Sequence, residues 1–205
     1  NFDFYLDNKK LNTFNFAGRP GDLNSKDDFY ILSNGMSVIE TSLEIFNLDL
    51  FKNLSPNTVP KWLRNNISNR LAQNNTQWIN LFFKYNSGTH NDQWLIIDYN
   101  KFEEFIKNKN LNKENLYENE NPSDIIHLVE QIPVLDKAYF IDVTNKLIKD
   151  GYVATYNAPF FEEVIELAGY KNSTHKDYFS AKRFYLFKRL YKNASNVEEI
   201  MKLME

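Results

Sequence analysis

An α+β fold, with strands and helices in irregular order, is what this sequence predicts on three observations. Two β-branched and aromatic runs meet at Asn34-Gly35 in "DDFYILSNGMSVIET". Apolar residues fall at helical spacing from Val59 to Tyr85. Two further short apolar runs, "QWLIIDY" and "DIIHLVEQI", are bounded by turn residues and are not joined by regular crossover helices.

In chain order the hairpin comes first. Asn and Gly both tolerate positive φ, so Asp28–Ser33 and Met36–Thr41 are expected to pair antiparallel around Asn34-Gly35. From Val59 to Tyr85, Trp62, Ile67, Leu71, Trp78, Leu81 and Phe82 form interrupted apolar faces. Pro60 suits a first turn and Asn74-Asn75 marks a break, which gives two helices. Trp94–Tyr99 and Ile125–Gln131 read as buried strands of the same sheet as the hairpin. Between them "KNKNLNKENLYENENP", Lys107 to Pro122, has too little apolar surface for a core and is expected to be an exposed loop. Asp142–Lys149 and Phe161–Leu167 have helical spacing, and Ser195 with Glu198 forms a capping box for a last helix, Val197–Met204.

Composition bounds the function. The 205 residues are 42% hydrophobic and 16% aromatic, enough to bury the core of one domain. A formal net charge of -3 gives no basic field for nucleic acid, and no apolar run approaches the roughly 18 residues a membrane-spanning helix needs. The start "NFDFYLDNKK" lacks the layout of a signal peptide and reads as the interior of a longer protein. Cysteine is absent, which removes disulfides, thiolate metal ligands and a cysteine nucleophile from these residues.

The common catalytic motifs are absent too. There is no G-x-S-x-G elbow, no H-E-x-x-H and no phosphate-binding glycine signature. His90, His127 and His175 lie far apart and read as surface or satisfied residues, so no metal or cofactor is expected. Glu103-Glu104 and Glu162-Glu163 read as solvated helix faces. Five glycosylation sequons begin at Asn53, Asn66, Asn74, Asn172 and Asn193, although a chain with 29 asparagines acquires several by chance. The polar stretch "YNSGTHNDQWLIIDY" reads as a self-bonding turn that leads into a buried strand with Trp94 packed beneath it.

That stretch also resembles the N-S-G-T-Y-N-N-Q-W-x-x-x-D-Y signature of the phospholipase B-like family of lysosomal and secreted glycoproteins. The hairpin "DDFYILSNGMSVIET" is similar to that family's D-D-F-Y-x-x-S-x-G-L-x-V-x-E-T-T, "LVEQIP" to its L-E-Q-I-P, and "ATYNAPFFEEVIELAGY" to its S-Y-N-x-P-F-x-E-x-x-x-x-x-S-G-Y. The four lie in the family's order from Asp27 to Tyr170, and "AKRFYLFKR" extends the match to Arg189.

The resemblance implies an N-terminal nucleophile hydrolase fold, an αββα sandwich, of which residues 1–205 would be a single partial domain from the C-terminal portion. It implies an acyl hydrolase releasing fatty acids from phospholipids, or cleaving a related amide, through a cysteine in an upstream segment of the same precursor. By the same resemblance Asn157 would donate to the oxyanion, Arg183 would orient the thiolate, and Ser42 would supply a hydroxyl. A lysosomal or secreted location would glycosylate the five sequons. The partner classes are therefore a lipid or other acyl substrate and the upstream segment. A second possibility keeps the fold as a non-catalytic lipid- or glycan-binding member.

Overall fold

The computed structural model describes residues 5–108, 122–135, 137–173 and 178–204. A short hairpin of β1 (Tyr5–Leu6) and β2 (Lys9–Lys10) precedes a six-stranded antiparallel sheet. Its strands are β3 (Phe14–Asn15), β4 (Phe29–Leu32), β5 (Met36–Ser42), β6 (Asp92–Asp98), β7 (Ile126–Glu130) and β8 (Tyr139–Asp142), neighbours in space in the same order as in the chain. The helices are α1 (Lys61–Leu71), α2 (Asn75–Phe83), α3 (Tyr99–Asn108), α4 (Thr144–Asp150), α5 (Glu162–Leu167), α6 (Lys182–Leu190) and α7 (Val197–Met204). The architecture is α+β, as the sequence predicts.

The β4–β5 turn differs in detail from expectation. Gly35 N–H bonds the Leu32 carbonyl at 3.2 Å, and of the two turn residues only Gly35 takes positive φ, +83°. The conformation favours glycine, and a Cβ there would lie 2.7 Å from the Asn100 side chain, which would have to move from its bond to the Asn34 carbonyl. The last helix spans Val197–Met204 as expected, but its cap differs: Asn196 Oδ1 accepts from Glu199 N–H at 3.0 Å, while Glu199 reaches back to Ser195. Asn196 and Glu199, not Ser195 and Glu198, are thus the cap pair. Of the expected loop from Lys107 to Pro122, Lys107 and Asn108 close α3 and residues 109–121 lie outside the described residues.

Period-two alternation gives the sheet two faces. On one, Met36, Val38, Trp94, Ile96 and Val129 meet Trp78, Phe82 and Phe83 of α2. The Trp78 and Trp94 rings stand 5.3 Å apart and Phe82 meets Trp94 edge-on at 4.9 Å. Burial of each such ring is worth about 2–3 kcal/mol, so this cluster is the main core. On the other face, Leu95, Ile126 and Leu128 meet Val143, with Leu147, Val153, Phe160 and Phe161 packed around them. There the β4–β5 corner is open, with Ile31 54% and Ile39 37% exposed.

One helix inverts the sequence reading. α1 turns Lys61, Arg64, Asn65, Ser68 and Asn69 inward and leaves Trp62, Leu63 and Ile67 more than a third exposed. Its inward groups are largely bonded. Arg64 donates to the Val59 carbonyl at 2.9 Å, to the Phe82 carbonyl, to Asn86 Oδ1 at 3.1 Å and to Gln131 Oε1 at 3.2 Å. Burial lowers its pKa to about 10, well above neutral, so the charge persists and the acceptors hold it. Those bonds pin the turn before β6, where Asn86 Nδ2 also donates to the Ile132 carbonyl at 3.0 Å and Asn91 Nδ2 to the Gly88 carbonyl at 3.0 Å. Gly88, at φ +64°, leaves no room for a Cβ, which would lie 2.8 Å from Pro133.

Candidate active site

The segment between α4 and α5 crosses the end of the sheet, held from below by β6 and β7. Glu130, the last residue of β7, is fully buried, and its carboxylate accepts from Phe160 N–H at 2.5 Å, Phe161 N–H at 3.3 Å and Gln93 Nε2 at 2.6 Å. Gln93 Nε2 also donates to the Ala158 carbonyl at 3.0 Å. From the other side, Tyr178 O–H donates to the Ala154 carbonyl at 2.8 Å and Tyr178 N–H to the Pro159 carbonyl at 3.0 Å. Burial pushes the Glu130 carboxyl up to about 7, against the opposing pull of its three donors.

Asn157 sits at the crest of this clamped segment in the left-handed conformation, φ +57°, which asparagine tolerates better than most residues. Its side chain is fixed at both ends. Asn157 Nδ2 donates to the Ser42 carbonyl at 2.9 Å, and Asn157 Oδ1 accepts from Arg183 Nη1 at 3.0 Å. Arg183 Nη2 also bonds the Tyr156 carbonyl. A guanidinium can only donate and a carbonyl can only accept, so the amide orientation is determined by its neighbours. One Nδ2 hydrogen is used on Ser42; the second is left for another acceptor.

The structure therefore brings Ser42, Asn157 and Arg183 together, all three exposed, although 115 and 26 residues separate them in sequence. Ser42 joins through its backbone carbonyl and not through the hydroxyl that sequence reasoning singled out. Glu130 and Gln93 were missed as site-supporting residues. Their signal was available in principle: a Glu and a Gln inside runs otherwise read as buried strands require buried partners.

A second buried cluster lies on the α1 face. Lys61 Nζ is ion-paired with Glu40, and with Asp92 at 3.2 Å; His90 Nε2 stands 3.3 Å from Asp92. Burial, and the like charge of Asp92 beside it, push the Glu40 carboxyl up to about 7 against the pull of Lys61. The bond to Asp92 raises the His90 pKa. Asp124, His127 and Asp142 form the metal-type grouping among the described residues, with donor atoms within 4.8 Å of one another. These donors are already committed. Asp142 accepts from Asp124 N–H at 2.6 Å and Thr144 N–H at 2.8 Å, and Asp124 pairs with Lys101 at 3.2 Å.

The sequons divide. Asn172 and Asn193 are exposed, Asn66 and Asn74 half-buried, and the Asn53 side chain lies outside the described residues. Asn66 Nδ2 is committed to the Leu23 carbonyl at 2.9 Å and the Trp62 carbonyl at 2.8 Å, whereas Asn74 uses only its Oδ1, as the cap of α2.

A family model described as Phospholipase B matches residues 1–205. Phospholipase B-like protein G of Dictyostelium discoideum is 34% identical over 196 residues, covering 93% of this chain and 31% of that protein. Putative phospholipase B-like 2 of Caenorhabditis elegans is 35% identical over 195 residues, 92% of this chain and 31% of its own length. Phospholipase B-like 1 of Homo sapiens is 34% identical over 173 residues, 82% of this chain and 28% of its own. The chain thus spans under a third of the length of these relatives. With a match from end to end and relatives sharing about a third of its residues, the chain belongs to the phospholipase B family.

Proposed function

We propose that these residues form the oxyanion-binding part of an acyl hydrolase of phospholipase B-like type, releasing fatty acids from phospholipids or cleaving a related amide. The observation that carries this reading is the Asn157 amide: oriented by Arg183 and Ser42, mounted on a clamped loop, with one N–H left to donate. Such a preorganised neutral donor suits an oxygen that gains charge during acyl transfer, because it needs no reorganisation when the charge appears.

In this reading a cysteine from an upstream segment of the same precursor attacks the acyl carbon and its own α-amine accepts the proton. Arg183, a permanent cation, favours the thiolate and holds Asn157 in place. The fold would be that of an N-terminal nucleophile hydrolase, and the open apolar corner at Ile31 and Ile39 supports a second layer packing there. A lysosomal or secreted setting with glycosylation is supported by the unburied Asn172 and Asn193 and by two carboxyls, Glu40 and Glu130, raised to about 7. Among the sequons, Asn66 is the least suited acceptor, since a glycan would displace a bond its amide already makes.

Asn157→Ala in the full-length protein should lower turnover by about 10²- to 10³-fold with the melting temperature nearly unchanged, as for loss of one oxyanion donor. Unchanged hydrolysis would remove Asn157 from the chemistry, whereas absence of hydrolysis in the parent protein would favour the non-catalytic lipid- or glycan-binding alternative.

A further inference from the structure

The acyl-transfer reading leaves a cleft between α4 and α6 without a role. Its cavity of about 260 Å³ is lined by Lys146, Lys149, Lys188 and Lys192, by the aromatic rings of Tyr152, Phe184 and Tyr191, and by a single carboxylate, Asp150. Four cations against one anion leave a local excess of three positive charges (4 − 1) in a chain whose formal net charge is -3. Asp150 is bonded to Lys146. No carboxylate pairs with Lys149, Lys188 or Lys192 among the described residues.

The rings organise the cations. Tyr152 and Tyr191 stand 4.4 Å apart and Tyr152 and Phe187 5.1 Å apart, which fixes α6 against the segment that follows α4. Lys188 Nζ lies over the Phe184 ring at 5.8 Å and Lys146 Nζ over Tyr152 at 5.9 Å, so both ammonium groups sit against the aromatic wall of the cleft. Like charges gathered in one concavity repel, and an anion with several acceptor oxygens relieves that repulsion by bonding more than one of them. A carboxylate offers two oxygens, whereas a phosphate ester offers up to three and one to two negative charges.

We propose that this cleft binds the phosphate group of an anionic phosphate ester, whether a lipid headgroup or a soluble phosphate. The lining includes none of Ser42, Asn157 and Arg183, and the proposal does not depend on acyl transfer. Tyr185 and Leu186, 60% and 46% exposed on the same helix, offer an apolar surface beside the cations and favour the lipid source.

Binding is read without turnover. The protein is titrated with inorganic phosphate and with glycerol phosphate against chloride of equal ionic strength, following backbone amide shifts. Saturable shifts confined to residues 146–152 and 184–192 are expected, with affinity about tenfold or more weaker in Lys188→Gln/Lys192→Gln and in Lys149→Gln. Both variants replace exposed side chains, and their thermal melts confirm folding. Co-sedimentation with phosphatidylglycerol vesicles, displaced by phosphate and absent with phosphatidylcholine vesicles, assigns the lipid source. Phosphate binding without vesicle binding assigns a soluble ester, and also supports the cleft. Absence of saturable shifts, or variants that bind as the parent does, overturns the proposal. So does vesicle binding that phosphate does not displace.

Discussion

The two faces of the sheet bury carboxylates in opposite ways. On the α1 face, Glu40 and Asp92 share a cation, Lys61, and the group is close to a closed ionic unit. On the other face, Glu130 has no cation within ion-pair distance among the described residues and is held by three neutral donors, two of them backbone N–H groups of the loop that carries Asn157. The first arrangement fastens a helix to a sheet through side chains alone. The second converts one carboxylate into a backbone template, so the position of Asn157 depends on the charge state and shape of a residue several ångströms beneath it. A buried ion pair is a fastening, whereas a buried carboxylate on amides is a jig.

Removing the cation should break the fastening with the largest effect. Lys61→Met fits the same space but leaves Glu40 buried without its counter-charge and Asp92 with His90 alone, and it should destabilise by about 3–5 kcal/mol in chemical denaturation. A cost under 1 kcal/mol would mean that Glu40 and Asp92 share a proton in place of the lysine. Glu130→Gln is gentler, since it keeps one acceptor oxygen and places an amide near donors; about 1–3 kcal/mol is expected. Under the proposed acyl-transfer function its sharper signature is in activity, because a displaced Phe160 shifts Asn157: turnover should fall more than the melt predicts.

The same carboxylates make stability depend on pH with a definite sign. A carboxyl whose folded pKa is raised from 4.5 to about 7 binds its proton more tightly in the folded state. Its contribution is full below the unfolded value and is lost as pH rises through about 7. Unfolding free energy should therefore fall between about pH 4.5 and 7, by roughly 3 kcal/mol or less per group. Glu130→Gln should flatten that slope in part, and adding Glu40→Gln should flatten it further. A slope unchanged by both substitutions would place the titration elsewhere. At the small end, Lys52→Ala removes an exposed pair with Asp49, and the change should stay within about 0.5 kcal/mol.

Much of the frame was legible, for identifiable reasons. Asn34-Gly35, Asn74 and the β-branched runs around Trp94 and Leu128 act over a few residues, where local chemistry decides. α3 and β8 were not read: α3 follows β6 with no breaker, and β8 is a four-residue edge strand whose burial alternates weakly. In α1 periodicity located a helix but misjudged its direction. The pattern reports that two faces differ, and a polar face turns inward when Val59, Phe82, Asn86 and Gln131 offer acceptors that only the folded chain assembles. Asn157 and Arg183 were found through motifs, whereas Glu130 and Gln93 take meaning only after the loop has folded over them.

The strand order carries a further consequence, for the path of folding. Every strand of the sheet pairs with the next one along the chain, so no pairing must wait for a distant segment to arrive. The β4–β5 closure spans only Ser33, Asn34 and Gly35, whereas β5 to β6 must first accommodate two helices, and closure entropy rises with that length. Assembly should begin at the hairpin and add strands outward, with Trp94 docking as the committing event. Pulsed hydrogen exchange during refolding should find Phe29–Leu32 amides protected before those of Ile126–Glu130. The reverse order would place the nucleus at the far side of the sheet.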